Sequence, residues 1–373
     1  MKRKVMIGLV VALLAVLVAV TLIACAPAAQ EAPAADDGAD AAEEVAMRKG
    51  VYQELDPDRE YYLVSSHQAH PYFLDSHIGL RYAAEYFNVK ITALGPDAWD
   101  TAAQAQALEQ TLAKNPAGII IRGYDASSVD ASVRAQKAGI PIVCTEAKPV
   151  EGRGATVEGA LTFIGLDNYQ CGADTSKELV ERAGDTGVVG VQGNWGASNT
   201  DAKLAGLEDW LEENAPGWSI CGYADDKANT ADSITAAKSL INTYPEMTAI
   251  MGIDSSSGPG IAGAMQELGI DAGTYKVVVH DREPATLALI ASGYIDATLI
   301  NKTAGQEVMA MLVLEDWNNG GIQFMPISSD NAAAGINPVP DNMYNTAVVI
   351  DADNVEYFTQ EAMPKIETDL YNR

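Results

Sequence analysis

The chain of 373 residues carries 51 acidic against 24 basic side chains, a formal charge of −27, with 48% hydrophobic residues and four cysteines. A field of that sign repels phosphate backbones and excludes a nucleic-acid partner, while the apolar content excludes disorder for the bulk of the chain. The length allows a sizeable core and suits a division into two domains.

Lys2-Arg3-Lys4 lead into an apolar run over 5–24 that closes Leu22-Ile23-Ala24-Cys25. A basic head, a hydrophobic run and a small residue before cysteine resemble a bacterial lipoprotein signal, so residues 1–24 are expected to be removed and Cys25 lipidated. Removal deletes three basic residues and no acid, which takes the charge from −27 to −30. A membrane-spanning anchor is the competing reading, because roughly 20 apolar residues can cross a bilayer.

Residues 25–57 read as the lipidated cysteine followed by a spacer. From 26 to about 47 the chain alternates Ala and Pro with Asp and Glu, and it lacks the branched and aromatic side chains needed to offset chain entropy. As a coil of about 22 residues it would reach roughly 25 to 30 Å, enough to hold a globular body clear of a membrane surface.

Beyond Tyr61, short continuous apolar runs alternate with longer amphipathic stretches, the pattern of βαβ units and parallel sheets. The runs at 118–121, 140–144, 188–191, 249–253, 277–279 and 297–300 are apolar throughout, as strands buried on both faces should be. Between them, Ala105, Leu108 and Leu112, and then Ile234, Ala237, Leu240 and Ile241, recur at helical spacing. About ten such strands over roughly 290 residues predict two doubly wound parallel-sheet lobes of the α/β class. Cys144, Cys171 and Cys221 are too few and too irregularly spaced for a disulfide framework or a zinc site.

Open parallel sheets bind ligands beyond the carboxyl ends of their strands. Arg122 follows the first of these runs, Thr145 and Glu146 the second, Gln192, Asn194 and Trp195 the third, Asp254 the fourth, His280 and Asp281 the fifth, and Asn301 the last. Arginine, carboxylates and amides at six strand ends suit the paired recognition of a polyol. A sugar ring offers C–H faces to aromatic side chains and a hydroxyl rim to carboxylates and amides.

Several stretches carry a family resemblance: Ser66-His67-Gln68-Ala69-His70-Pro71-Tyr72-Phe73, Gly139-Ile140-Pro141-Ile142-Val143, Ile164-Gly165-Leu166-Asp167-Asn168-Tyr169 with Gly172, and Val277-Val278-Val279-His280-Asp281. In that order and spacing, over about residues 60–325, the chain resembles the type I periplasmic binding proteins, in particular the ribose-binding-like branch that serves sugar ABC importers. The resemblance implies two α/β lobes joined by three crossovers, near Leu166, near Asn301 and within 326–345. The N-terminal lobe is then 58–166 with 302–330, and the C-terminal lobe and tail are 167–301 with 331–373.

By the same resemblance, Tyr72 and Phe73 match the aromatics that sandwich the sugar, and His70 the polar residue before them. Arg122, Glu146, Asp201, Asp254, Asp281 and Asn301 match hydroxyl-binding positions. Trp195 either supplies a third wall or only covers its loop. The chain departs from the family in two places. Glu146-Ala147 stands where relatives commonly have Asp-Arg, and an arginine expected in the 198–203 loop is replaced by Asp201 or Asn199. Lost arginines and added carboxylates imply a ligand other than plain ribose.

Three other readings compete. Gly258-Pro259-Gly260-Ile261-Ala262-Gly263 satisfies the dinucleotide pattern G-x-G-x-x-G, but four residues separate it from the preceding strand. His67, His70, Asp75 and His77 cluster as imidazole and carboxylate metal ligands would, without a matching set elsewhere. Glu146 and Asp281 could serve as a glycosidase pair, but no other catalytic motif accompanies them. The expectation is therefore a monomeric, exported and lipid-anchored receptor, on the periplasmic or extracellular face. It would be without enzymatic activity, cofactor or metal, and would deliver a monosaccharide or similar polyol to a membrane ABC permease by hinge closure. The alternative is a sensor for a furanosyl signal of the autoinducer-2 kind, feeding a chemoreceptor or kinase.

Overall fold

The computed structural model describes residues 59–69, 71–123, 125–149, 157–318, 337 and 339–359. The leader, Cys25, the spacer and His70 therefore lie outside the described residues.

The first lobe opens with β1 (Glu60–Ser65), a 3-10 turn (Pro71–Phe73), α1 (Leu74–Phe87), β2 (Lys90–Leu94), α2 (Thr101–Leu112), β3 (Gly118–Arg122), a 3-10 turn (Ala126–Ser128), α3 (Val129–Lys137), β4 (Ile142–Thr145) and β5 (Thr162–Leu166). The second lobe follows with α4 (Asn168–Ala183), β6 (Gly187–Gly193), α5 (Ser198–Asn214), β7 (Trp218–Asp225), α6 (Thr230–Thr243), β8 (Ala249–Gly252), α7 (Ser257–Glu267), β9 (Lys276–His280), α8 (Pro284–Ala291) and β10 (Ala297–Ile300). Then come α9 (Thr303–Asn318), β11 (Asn342–Asn345), β12 (Val348–Asp351) and a last 3-10 turn (Val355–Phe358).

The strands form two sheets of six, ordered β2-β1-β3-β4-β5-β11 and β7-β6-β8-β9-β10-β12. Every pairing is parallel except β12 against β10. In each sheet the order reverses beside the first strand, between β1 and β3 and between β6 and β8, and such reversals open a crevice at the strands' carboxyl ends.

Burial on both faces explains the all-apolar runs. Val277 and Val279 pack on one side of the second sheet with Ile250, Ile261 and Leu287. Val278 packs on the other side with Val189, Val191, Met251 and Leu299. The first lobe repeats the arrangement around Val64, Ile119, Ile121, Ile142 and Phe163.

Side-chain caps set several helix starts. Asp100 accepts from Ala103 N at 2.9 Å, Asp167 from Gln170 N at 3.1 Å and Asn229 from Asp232 N at 2.9 Å. The chain passes between lobes at 166–168, at 300–303, where α9 returns to pack on α1 and β4, and at 346–347. The sequence placed the last crossover within 326–345 and gave 331–373 to the second lobe. Instead β11 pairs with β5, so 342–345 side with the first lobe. Asn-Met-Tyr-Asn is only partly buried at a sheet edge and carries no apolar run by which it could be recognised.

The dinucleotide-like glycines lie inside α7. A Cβ at Gly260 would fall 1.8 Å from Ser233 Oγ, and one at Gly263 would fall 3.1 Å from Ile234. Gly260 and Gly263 serve the close packing of α7 on α6, while Gly258 faces Val279 and Ile295.

Candidate functional site

The carboxyl ends of both sheets face each other across a cleft, and the side chains that meet there come from widely separated elements. Tyr72, on the turn before α1, donates its hydroxyl to Glu146 Oε1 at 2.7 Å. Asn301, just past β10, donates Nδ2 to Glu146 Oε2 at 3.2 Å and to the Tyr72 hydroxyl at 3.3 Å. The amide is held in that sense because its Oδ1 accepts from Lys302 N at 2.8 Å and from Gln306 Nε2 at 2.7 Å. Tyr72, Asp281 and Asn301 line a cavity of about 630 Å³.

Glu146 and Asp281 share an uncommon backbone. Their φ values of 73° and 72° put both in the left-handed region, although neither is glycine. Such residues cost on the order of 1–3 kcal/mol where the surroundings enforce them, and they concentrate at functional sites. Here they turn the chain at the ends of β4 and β9.

Lys203 supplies the positive charge. It is 7% exposed, with Nζ 3.5 Å from Ile253 O. Its place follows from two glycines. A Cβ at Gly172 would lie 1.8 Å from Lys203 O, and one at Gly206 would lie 1.9 Å from Tyr169 O, so α4 and α5 touch backbone to backbone there.

Burial raises the Glu146 carboxyl above its ordinary range, against the lowering effects of the Tyr72 hydrogen bond, Lys203 and Arg122. Asp281 is pushed up to about 7 by burial, with Lys203 opposing and Glu146 and Asp254 reinforcing. His280 is held well below its ordinary value by burial and by Lys203. It is therefore a neutral ring, 2.8 Å from Thr175 Oγ1.

Other strand-end residues are used differently from the sequence expectation. Arg122 is fully buried and spends its donors within its own lobe. Nε and Nη2 reach Ser65 Oγ at 3.1 and 3.0 Å, Nη1 reaches Ser76 Oγ at 2.7 Å, and Nη2 also reaches His67 O at 3.2 Å. Ser76 in turn donates to the buried Glu307 at 2.5 Å. The guanidinium sits 4.1 Å from the centre of the Phe73 ring, so one face of that ring is taken by Arg122. Tyr72 and Phe73 meet edge to face at 5.0 Å and 76°, not as parallel jaws.

Asp254 accepts at Oδ1 from Ser256 N at 2.9 Å and Ser257 N at 3.1 Å, closing the turn into α7. Beside it, Asp226 is pushed up to about 8 by burial and by the hydrogen bond with Asp254. Asp201 is exposed and accepts from Gly196 N at 3.0 Å. It thus fixes its own loop, and Asn199 makes no side-chain hydrogen bond among the described residues. Trp195 packs on the second lobe's core and meets Tyr223 edge to face at 6.4 Å, which is the loop-covering role.

Of the suggested metal ligands, Asp75 pairs with Arg282 and His77 Nε2 lies 3.3 Å from Gln68 O. Among the described residues no three His, Cys, Asp or Glu side chains are grouped to hold a metal. Nor, among them, is any helix long and apolar enough to cross a membrane.

Lys203, Glu283 and Glu307 were not singled out in the sequence. A signal for Lys203 did exist: Thr200, Lys203, Leu207 and Leu211 fall at helical spacing, and all four are buried, so a lysine interrupts an otherwise inward stripe.

The model of the periplasmic binding protein domain matches residues 61–320. The chain belongs to this family. Among curated relatives, the xylose/arabinose-binding protein XylF of Sulfolobus acidocaldarius is 22% identical over 239 residues, a stretch that spans 61% of this chain and 58% of that protein. Among solved structures, AraP, an arabinose-binding protein from Geobacillus stearothermophilus, superposes with a TM-score of 0.70 at 25% identity, covering 81% of this chain and all of that one. A sugar-binding protein of a sugar ABC transporter from Bacillus halodurans gives 0.73 at 25% identity over the same shares. The two-lobed α/β fold read from the strand pattern is thus the fold of this family.

Proposed function

We propose that the chain is an exported solute receptor that captures a small sugar between its lobes, is tethered through a lipid on Cys25, and passes the sugar to an ABC permease. The observation that carries the reading is the convergence of Tyr72, Asp281 and Asn301 on one cavity, from the turn before α1 and the ends of β9 and β10, with Glu146 at the end of β4 hydrogen-bonded behind Tyr72 and Asn301. Such a set offers hydroxyl acceptors on carboxylates, an amide and an aromatic edge, with Lys203 as the balancing cation. The names of the relatives, which include arabinose- and xylose-binding proteins, support the same ligand class.

Capture works by population shift. Arg282 of the second lobe pairs with Asp75 of the first, and Ser198 Oγ donates to Lys148 O at 3.1 Å across the cleft. A ligand that touches both lobes adds contacts only when they meet, and so favours the shut form. Binding without turnover suits Glu146, both of whose oxygens are already engaged by Tyr72 and Asn301.

Titration calorimetry against pentoses, hexoses and deoxysugars tests the reading, with micromolar or tighter binding of at least one sugar expected. Absence of sugar binding, with micromolar binding of another ligand class, overturns it. For the tether, Cys25→Ser is expected to move the protein from the membrane fraction to the soluble one.

A further inference from the structure

The cavity that Tyr72, Asp281 and Asn301 line does not end at the sugar-facing groups. It runs on between the start of α1, α8 and the 355–358 turn, where Leu74, Pro284, Leu287, Ala291, Val355 and Phe358 form its wall. Its volume of about 630 Å³ lies within the roughly 300–1,000 Å³ range of sites that take drug-sized ligands. The chemistry changes along its length, from carboxylates and amide at one end to a mainly aliphatic and aromatic wall at the other, with Glu356 and the mutually paired Asp75 and Arg282 also in the lining. Sugar hydroxyls pressed against the second part would lose water without gaining partners.

At the junction stands Glu283, which also lines the cavity. Both its carboxyl oxygens are buried without a hydrogen-bond partner among the described residues. Burial and the neighbouring Asp281 push its carboxyl up to about 8, so at neutral pH it is mostly a neutral acid with a proton to donate. A glycosidic oxygen accepts a hydrogen bond and donates none, which suits that proton.

We propose that the ligand is a glycoside, with its sugar ring in the polar cleft and an apolar aglycone in the chamber bounded by Leu74, Leu287 and Phe358. This rests on the sugar reading and narrows it. The occupant is argued from the continuity of the chamber with the cleft and from the unpartnered Glu283 carboxyl at the join.

The test is calorimetry on the full chain with free pentoses and hexoses, and with their α- and β-phenyl glycosides. The measurements are made on the wild type and on Ala288→Trp, which places a large ring in the chamber from a solvent-facing position on α8. A phenyl glycoside is expected to bind at least tenfold more tightly than its parent sugar, and the variant is expected to lose that advantage while keeping the parent's affinity. The inference is overturned if the parent binds and every phenyl glycoside binds equally or worse. It is also overturned if the advantage survives in Ala288→Trp, or if phenyl glycosides gain it only after residues 360–373 are removed, since the chamber then houses the chain's own end. Failure of free sugars and glycosides alike would instead remove the sugar reading itself.

Discussion

Replacing Glu146 by Gln separates binding from folding. The left-handed φ of 73° is retained, and Gln tolerates it no better than Glu, so the backbone term cancels. The Tyr72 hydroxyl at 2.7 Å can still donate to the amide oxygen. The amide nitrogen then meets Asn301 Nδ2, which sits 3.2 Å from the present carboxylate oxygen, donor against donor.

Asn301 could turn its oxygen inward only by giving up Lys302 N and Gln306 Nε2. The site therefore loses one contact and exchanges charge-assisted hydrogen bonds to ligand for neutral ones, a difference of about 1–2 kcal/mol. That corresponds to roughly five- to thirty-fold weaker sugar binding. Folding should move the other way or not at all, because burial raises the Glu146 carboxyl and the charge is unfavourable in the folded state relative to the unfolded one. Calorimetry and thermal melts on the same preparation read both quantities. A variant that keeps its affinity while its melting temperature drops would refute the reasoning, since Glu146 would then be a structural carboxylate.

Asp226, Asp281 and Glu283 all have raised folded values, about 8, about 7 and about 8. Their contribution to stability is complete below the ordinary carboxylate pKa of about 4 and is lost as pH rises through 7 to 8. The lowered His280 acts oppositely, costing stability below about pH 6.5. The melting temperature should thus fall between pH 6.5 and 8.5, and Glu283→Gln should flatten that fall; an unchanged slope in scanning calorimetry would refute the assignment. Arg282→Ala removes the cross-lobe pair with Asp75, whose side chains are 24% and 21% exposed. Its screened worth of about 0.5–1 kcal/mol predicts two- to five-fold weaker sugar binding by calorimetry. Gly172→Ala drives a methyl to 1.8 Å from Lys203 O, so helices α4 and α5 must part. A loss of about 1–3 kcal/mol is expected in urea unfolding, with reduced sugar affinity because Lys203 moves with α5.

Much of the architecture was legible because burial on both faces leaves a local trace. Strands such as Val277-Val278-Val279 have no polar face to show, and the polar residue that follows each marks where the sheet stops. The same logic brought out Glu146, Asp281 and Asn301, each one position beyond a strand. It gave no sign of the partners that Arg122 and Asp201 hold within their own lobes, since a strand-end or loop-end side chain can turn inward as easily as outward. Lys203 passed as an ordinary helix lysine although it interrupts the inward stripe of Thr200, Leu207 and Leu211, and β11 passed as a loop because Asn-Met-Tyr-Asn completes no apolar run.

The amino-acid order alone determined the alternation of buried strands and amphipathic helices, and with it two parallel sheets and a row of polar strand tips. The expected leader and spacer rest on that order alone. Which tips share a cavity was decided by tertiary structure. Glu146 and Asn301 are 155 positions apart and touch, and Lys203 reaches their neighbourhood because Gly172 and Gly206 let two helices meet closely. Periodicity records which face of an element is buried; it holds no measure of distance between elements that the chain itself keeps far apart.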